Sequence, residues 1–534
     1  MEAATTSSRR VELALAAVAV LLALVGVRGL AAWDDGIVRE SASAGGVPVE
    51  VFRTEGAPQR RPVVVVAHGF AGSKQLMYGF GPALANDGYV AVLLDFTGHG
   101  ANPRPLPSQN GVGAASRAAL QADLDAVVGW AVGQPWAAPG RLALVGHSMG
   151  AGAVTRYAAA HPPGSGPTGV AATVAVSLPS AEDLPADAAR PANLLLLVGE
   201  REQPRFFEAA REALQLGYPD GEGGITYGSF EDGSARREQV VPGVEHVTIV
   251  FAGETLDATS GWIAEALSYD VSGPAEGPPD RMLWAGVLLL AATLGFVPLA
   301  SLLLGARRPL APHRTVSAGV AAGGMAAGAT VAALVMAAVP WLGGLVPIAV
   351  GGYLAAFLAV FGLICLAVAS RTSLGGGDVD VPAGPARSRW ATAAASLALS
   401  AYVVATFLAV GHATWVDAGL AGGRKAAGLA LALCAFAYFL GEELLARRTR
   451  RGRRLALVAL SRVLVVVGLL AAVLLLGAPG FLTLIIPLVA LLFAWFAVYG
   501  FVVAGRTAAP WAPGLVQAAI TGAAVAATFP YVSG

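Results

Sequence analysis

The sequence predicts two architectures in one chain: an α/β domain on a doubly wound, mostly parallel sheet, and an all-α multi-span transmembrane domain. Three observations carry this. Between about 47 and 268, short β-rich runs alternate with helical patterns, the order that gives a parallel sheet with helices on both faces. Nine apolar runs are close to the roughly 20 residues needed to cross a hydrocarbon core. Charge is also partitioned, with 28 acidic and 15 basic side chains in residues 34–280 but 5 acidic and 17 basic in residues 281–534.

At 534 residues, with 55% hydrophobic and 13% charged residues, the chain is too apolar for disorder. The acidic balance of 34–280 argues against nucleic acid as a partner, because phosphate binding needs clustered Lys and Arg. Cys365 and Cys434 both fall inside apolar runs, so neither a disulfide framework nor a cysteine zinc site is expected. Two lysines against 33 arginines, with abundant Ala, Gly and Val, indicate a bacterial genome of high GC content rather than a chemical requirement.

The apolar runs cover roughly 11–32, 283–305, 316–339, 344–369, 390–411, 426–445, 456–477, 480–504 and 512–531. Residues 1–33 are expected to be an uncleaved transmembrane anchor. A cleaved secretory signal is the alternative, weakened by Arg28 and by the lack of an A-x-A pattern. The last run is the least apolar and carries prolines near its ends; with eight spans the C-terminus would lie inside. Basic residues fall in alternate loops: Arg9 and Arg10; Arg307, Arg308 and Arg314; Arg371, Arg387 and Arg389; six arginines from Arg447 to Arg454; and Arg506. The positive-inside rule places these in the cytoplasm, making the chain a multi-pass cell-membrane protein with residues 34–280 extracytoplasmic and 281–534 the helical domain. Arg281, Arg424 and Lys425 fall on the outer side against the rule, and Arg462 lies within a run, where snorkelling or a later helix start is expected. Gly- and Ala-rich stretches near Gly319–Gly324 and Ala393 read as close helix packing.

The string Glu442-Glu443-Leu444-Leu445-Ala446-Arg447 is similar to the EExxxR motif of intramembrane CAAX-type proteases. Those need downstream histidines and none follows His412, so a snorkelling helix end is the expected reading.

In the α/β part, strands are expected at 47–53, 62–67, 89–94, 141–145, 170–177, 193–198 and 238–241. Helices are expected near 75–86, 115–133, 149–160, 203–215 and 255–268. The end of one strand and the start of a helix carry Gly146-His147-Ser148-Met149-Gly150, a G-x-S-x-G. Small residues are needed on both sides of Ser148 because the turn that projects its hydroxyl is strained and crowded. The motif alone is common by chance, so its strand–turn–helix context carries the weight.

Around it, Val66-Ala67-His68-Gly69-Phe70 follows an early strand and Asp95-Phe96-Thr97-Gly98-His99-Gly100 follows the next. With these strings the segment resembles the α/β-hydrolase superfamily, nearest to its serine aminopeptidase and dienelactone hydrolase groups. The resemblance implies Ser148 as nucleophile and the N–H groups of Met149 and Phe70 as the oxyanion hole. It also implies a triad in the order Ser, acid, His. His246, in Pro242-Gly243-Val244-Glu245-His246, matches the family's P-G-x-x-H loop. His161 reads as a capping or surface residue, and His99 as structural.

For the acid, Glu202 stands where the family's G-x-x-D shows Asp, with Asp183 and Glu200 as alternatives. About 15 residues separate the strands ending near 177 and starting near 193, too few for a helical cap, so an open, shallow pocket is expected. The loop 217–237 reads as a solvated turn, with lining of the site as the alternative.

The implied activity is that of a membrane-anchored serine hydrolase, esterase- or lipase-like or a peptidase, working through an acyl-enzyme without metal or cofactor. Its expected partners are membrane lipids and small-molecule, lipid or acylated envelope substrates. Two alternatives stay open: an envelope acyltransferase using the same triad, and a transport-linked protein whose hydrolase-like domain only binds.

Overall fold

The computed structural model describes residues 2–56, 60–109, 113–271, 281–307, 316–373, 388–447, 449, 453–480 and 482–533. Of the basic residues that set the expected orientation, Arg308, Arg314, Arg387, Arg448, Arg450 and Arg451 lie outside these.

After helix α1 (Glu2–Ala31), eight strands form one sheet: β1 (Ile37–Ala44), β2 (Val47–Thr54), β3 (Arg61–Ala67), β4 (Val90–Leu94), β5 (Ala137–His147), β6 (Ala172–Val176), β7 (Leu194–Gly199) and β8 (Arg236–Val241). Their order is β1-β2-β4-β3-β5-β6-β7-β8, antiparallel at β1–β2 and β2–β4 and parallel elsewhere. The helices that cover it are α2 (Phe80–Asn86), α3 (Ala114–Val132), α4 (Met149–Ala160), α5 (Pro204–Gln215) and α6 (Gly253–Leu267).

The continuous apolar run of β3 explains its central place, since alternate residues serve opposite faces. Val63, Val65 and Ala67 join the cluster under α3 and α4, while Val64 and Val66 join the one under α2 and α6. Each such valine withdrawn from water contributes about 1.5–3 kcal/mol.

Strand β1 was not among the expected strands. It pairs along its whole length with β2, from Ile37↔Thr54 to Ala44↔Val47, as an edge strand with three consecutive exposed residues. Its polar sequence gives little periodic signal. The available clue was Gly45-Gly46, whose φ of 58° and 87° are what a two-residue hairpin loop requires.

The helical region contains α7 (Arg281–Leu304), α8 (Ala318–Ala338), α9 (Gly351–Ser373), α10 (Arg389–Thr414), α11 (Arg424–Arg447), α12 (Arg454–Leu476), α13 (Leu482–Ala504) and α14 (Trp511–Thr528). Among the described residues, eight helices are long and apolar enough to cross a membrane: α1 and α7–α13. The run expected at 344–369 begins as a helix only at Gly351, because Pro340–Gly344 form a 3-10 turn. Helix α1 lies along α7, where a Cβ at Gly29 would fall 2.3 Å from the Trp284 ring. Helix α14 packs inside the bundle: a Cβ on Gly522 would meet the Gly428 carbonyl of α11 at 2.4 Å. Small residues there permit the close crossing.

Two expectations about charges change. Arg462 does not snorkel. It is 8% exposed and its Nη2 donates to Glu442 Oε1 and to Gln517 Oε1, both at 2.7 Å, joining α11, α12 and α14. Its guanidinium carbon lies 4.6 Å from the Phe439 ring centroid. Glu443 is likewise paired rather than trailing at a helix end, with Arg447 at 2.7 Å and Arg454 at 2.8 Å. Such pairing is what an apolar surrounding demands of an ionised group.

The sheet domain sits at the ends of the bundle from which Arg281, the 415–423 segment and the 529–533 segment emerge. Tyr531 N donates to Gly98 O at 2.8 Å, Leu106 N donates to Tyr531 O at 2.8 Å, and Val532 N donates to Pro347 O at 3.1 Å. Two of the three basic residues that break the charge rule are engaged here. Arg281 donates to the Ala413 carbonyl, and Arg424 to the Gly98 and Gly100 carbonyls.

Candidate active site

Strand β5 ends at His147, and Ser148 turns the chain into α4 with φ 52° and ψ −116°. A residue other than glycine enters that region only when its surroundings enforce it. Here crowding does so. A Cβ at Gly146 would lie 2.3 Å from Gly150 O, and one at Gly150 would lie 2.5 Å from Ala67 O. Both flanking glycines of the motif are thus required by contact, and the turn lifts the Ser148 hydroxyl off the sheet.

The loop after β8 brings in His246, whose Nε2 lies 3.1 Å from Ser148 Oγ. Its Nδ1 lies 3.0 Å from Glu202 Oε2, on the loop after β7. The other oxygen of Glu202 accepts from Ser177 Oγ at 2.6 Å and from Gly199 N at 2.9 Å. With Nδ1–H donated to the carboxylate, the Nε2 lone pair is left to accept the serine proton. The rival carboxylates are elsewhere: Asp183 pairs with Arg156 at 3.1 Å, and Glu200 accepts from Gly243 N at 2.8 Å.

Two contacts of His246 escaped sequence reasoning. Phe206, from the start of α5, stacks on its ring at 4.3 Å. His147, the variable residue before the serine, has its Nε2 2.8 Å from the His246 carbonyl. A histidine at that place of the motif was the only local hint. Burial, reinforced by the nearby His246 ring, pushes the His147 pKa down to about 3. It therefore stays neutral and donates Nε2–H to that carbonyl.

Burial also lowers the pKa of His68 and of His99. All three take up a proton near pH 6.5 only when unfolded. The unfolded state then binds more protons, and stability is lost as pH falls below about 6.5; for His147 the loss continues towards pH 3, by up to about 1.4 kcal/mol per pH unit. Followed by thermal unfolding in detergent, the midpoint of the wild-type chain falls across this window. That of His147→Gln falls less steeply, because one of the three groups is gone while the amide still donates.

Met149 opens α4 directly after Ser148, where the first N–H groups have no intrahelical acceptor. Phe70 is carried past Ser148 by Gly69, at which a Cβ would lie 2.8 Å from His147 Nδ1 and 3.1 Å from Ser148 Cβ. His68 fixes the start of this loop: its Nε2 accepts from Phe96 N at 3.1 Å, and its Nδ1 donates to Gly69 O at 2.8 Å.

The Asp95–Gly100 turn is held largely through Asp95. Asp95 accepts from Lys74 Nζ at 2.5 Å, Lys74 N at 2.7 Å and Ala101 N at 2.9 Å, and a Cβ at Gly100 would collide with it at 2.1 Å. His99 is buried with Nδ1 on Thr97 O, and His161 stacks on Tyr157 at the end of α4; neither joins the serine. Between β6 and β7 the chain forms no helix, but the site is not left bare. Phe70 and Ala71 pack against the apolar cluster of the helical bundle.

Residues 58–202 match the protein family described as serine aminopeptidase, S33. The matched stretch contains Phe70, Ser148, Met149 and Glu202 and stops before His246. Over 102 residues the chain is 34% identical to an uncharacterized protein of Mycobacterium tuberculosis H37Rv, covering 19% of this chain and 33% of that protein. The chain thus spans about one third of the length of the curated relatives it matches. Similar solved structures include a putative dienelactone hydrolase from Klebsiella pneumoniae (19% identity, TM-score 0.32, 43% of this chain and 99% of that one). Another is an esterase/lipase from an uncultured bacterium (18% identity, TM-score 0.32, 44% and 86%).

Proposed function

We propose that this chain, an α/β-hydrolase domain joined to a bundle of apolar helices, is a membrane-anchored serine hydrolase that cleaves an ester or related acyl bond through an acyl-enzyme on Ser148. The observation that carries the reading is the continuous hydrogen-bond line from Ser148 Oγ through His246 to Glu202. His246 Nε2 takes the hydroxyl proton as the serine oxygen attacks the carbonyl carbon, and Glu202 steadies the imidazolium that forms. The negative oxygen of the tetrahedral intermediate is stabilised by the Met149 and Phe70 N–H groups. His246 then gives its proton to the departing alcohol or amine. A water, deprotonated in the same way, clears the acyl group and restores Ser148.

Support for an extracytoplasmic site comes from charge. Arg447, Arg454 and Arg506 lie at the end of the bundle opposite the hydrolase domain, and arginines of short loops are retained in the cytoplasm. A site held against apolar helices favours acylated or lipid-like substrates of the envelope. The test is labelling of the full chain in detergent by a fluorophosphonate. Labelling of the wild type that is lost in Ser148→Ala supports the reading. Well-folded wild type that takes no label at Ser148 leaves the domain a binding module.

A further inference from the structure

The loops on either side of the catalytic serine are not held by the hydrolase domain alone. In the loop after β3, four residues beyond Phe70, Lys74 and Gln75 are 6% and 0% exposed. Gln75 Nε2 donates to Asp417 Oδ2 at 2.9 Å, and Lys74 Nζ lies 3.6 Å from the same oxygen. Ser73 Oγ donates to the Trp415 carbonyl at 3.3 Å. Asp417 and Trp415 belong to the segment joining α10 to α11. That segment is braced by its own contacts, since Asp417 Oδ1 accepts from Gly419 N at 2.8 Å and His412 Nδ1 accepts from Ala418 N at 3.2 Å. A few residues on, Arg424 is 1% exposed and its two terminal nitrogens donate to the carbonyls of Gly98 and Gly100, in the loop after β4. Lys74 ties the two loops together through Asp95.

On the serine-hydrolase reading above, we propose that Asp417 and Arg424 are positioning residues for the reaction: from the helical bundle, they hold the β3 and β4 loops so that the Phe70 N–H converges with that of Met149 on the developing oxyanion. Neither touches the reacting atoms. Their effect passes through Gln75 and Lys74 to the oxyanion loop, and through Gly98 and Gly100 to the loop beside it. The bundle is on this account a structural part of the catalytic centre, which gives the many helices a role beyond anchorage. Donors that drift by a fraction of an ångström bind the ground-state carbonyl nearly as before but stabilise the oxyanion less, so kcat falls and KM does not.

The experiment uses the full chain in detergent with a 4-nitrophenyl ester. Asp417→Ala is expected to lower kcat about 10- to 100-fold with KM within about twofold. The isosteric Asp417→Asn, which keeps one oxygen to accept from Gln75 or Gly419 but no longer faces Lys74 with a charge, is expected to lose less. Thr293→Ala, a change inside the bundle whose hydroxyl bonds Tyr499 and Trp495, is the control expected to keep wild-type kcat. Gln75→Ala combined with Asp417→Ala should cost little more than Asp417→Ala alone, because the Gln75 contact is already lost with the carboxylate.

Wild-type kcat in folded Asp417→Ala overturns the inference. So does an equal loss in Thr293→Ala, which would make the effect one of general loosening. If Asp417→Ala does not fold, Asp417→Asn decides: a kcat loss at unchanged unfolding midpoint and KM supports positioning, and unaltered kcat refutes it. Failure of Ser148-dependent labelling in the wild type would instead remove the hydrolase reading itself, so the two failures are distinct.

Discussion

Ser148→Ala and His246→Ala each lower kcat/KM for a reactive ester by about four to six orders of magnitude, and the double variant loses little more. The reason is the chain of contacts through one imidazole. Without the hydroxyl there is no nucleophile for His246 to activate, and without the imidazole the Ser148 proton has no acceptor at 3.1 Å. What remains in each case is the binding site and the backbone donors. Glu202→Gln belongs to the same series, with an expected loss of about three to four orders. The amide can meet Nδ1 with its own N–H, which turns the ring to the tautomer that presents a proton, not a lone pair, to Ser148. Steady-state hydrolysis by purified full-length variants measures all four. Losses that multiply in the double variant would mean that the two side chains do not act as a unit.

Arg462→Met destabilises the bundle by about 3–5 kcal/mol, and adding Glu442→Gln returns most of that. The single change leaves the Glu442 carboxylate, 3% exposed, with the neutral hydroxyls of Tyr438, at 3.2 Å, and Ser461 beside it but no counter-charge from Arg462. An uncompensated charge among apolar side chains costs more than the pair was ever worth, whereas removing both charges leaves an amide that the Tyr438 and Ser461 hydroxyls still bond. Resistance to unfolding by heat in detergent separates the variants. A double variant as weak as the single would show that the arginine matters by its packing on Phe439 rather than by its charge.

How much of this was readable beforehand follows from the range of each interaction. The turn at Ser148 is local: its glycines, its strand and its helix are adjacent in sequence, so the motif shows. His246 and Glu202 were reached by order along the chain and by the loops that carry them, and the structure puts both in line with Ser148. The strand β1 was hidden because an edge strand with one exposed face needs few apolar residues. His147, Phe206, Asp417 and Arg424 act across separations that leave no periodic or spacing signal; the Gln75–Asp417 bond joins positions 342 residues apart. Arg424 had shown itself only as an exception to the charge rule, and the Arg462 pair only as an ionisable residue where none is expected.

The bond between Leu106 and Tyr531 spans most of the polypeptide, and it has a meaning for timing. A domain whose sheet is complete by residue 241 can collapse while the ribosome is still working on the helices. Its β4 loop, however, waits for a strand-like partner translated hundreds of codons later. Contacts of such high order are slow to form, so the β4 loop is expected to take its place only after α14 has packed into the bundle.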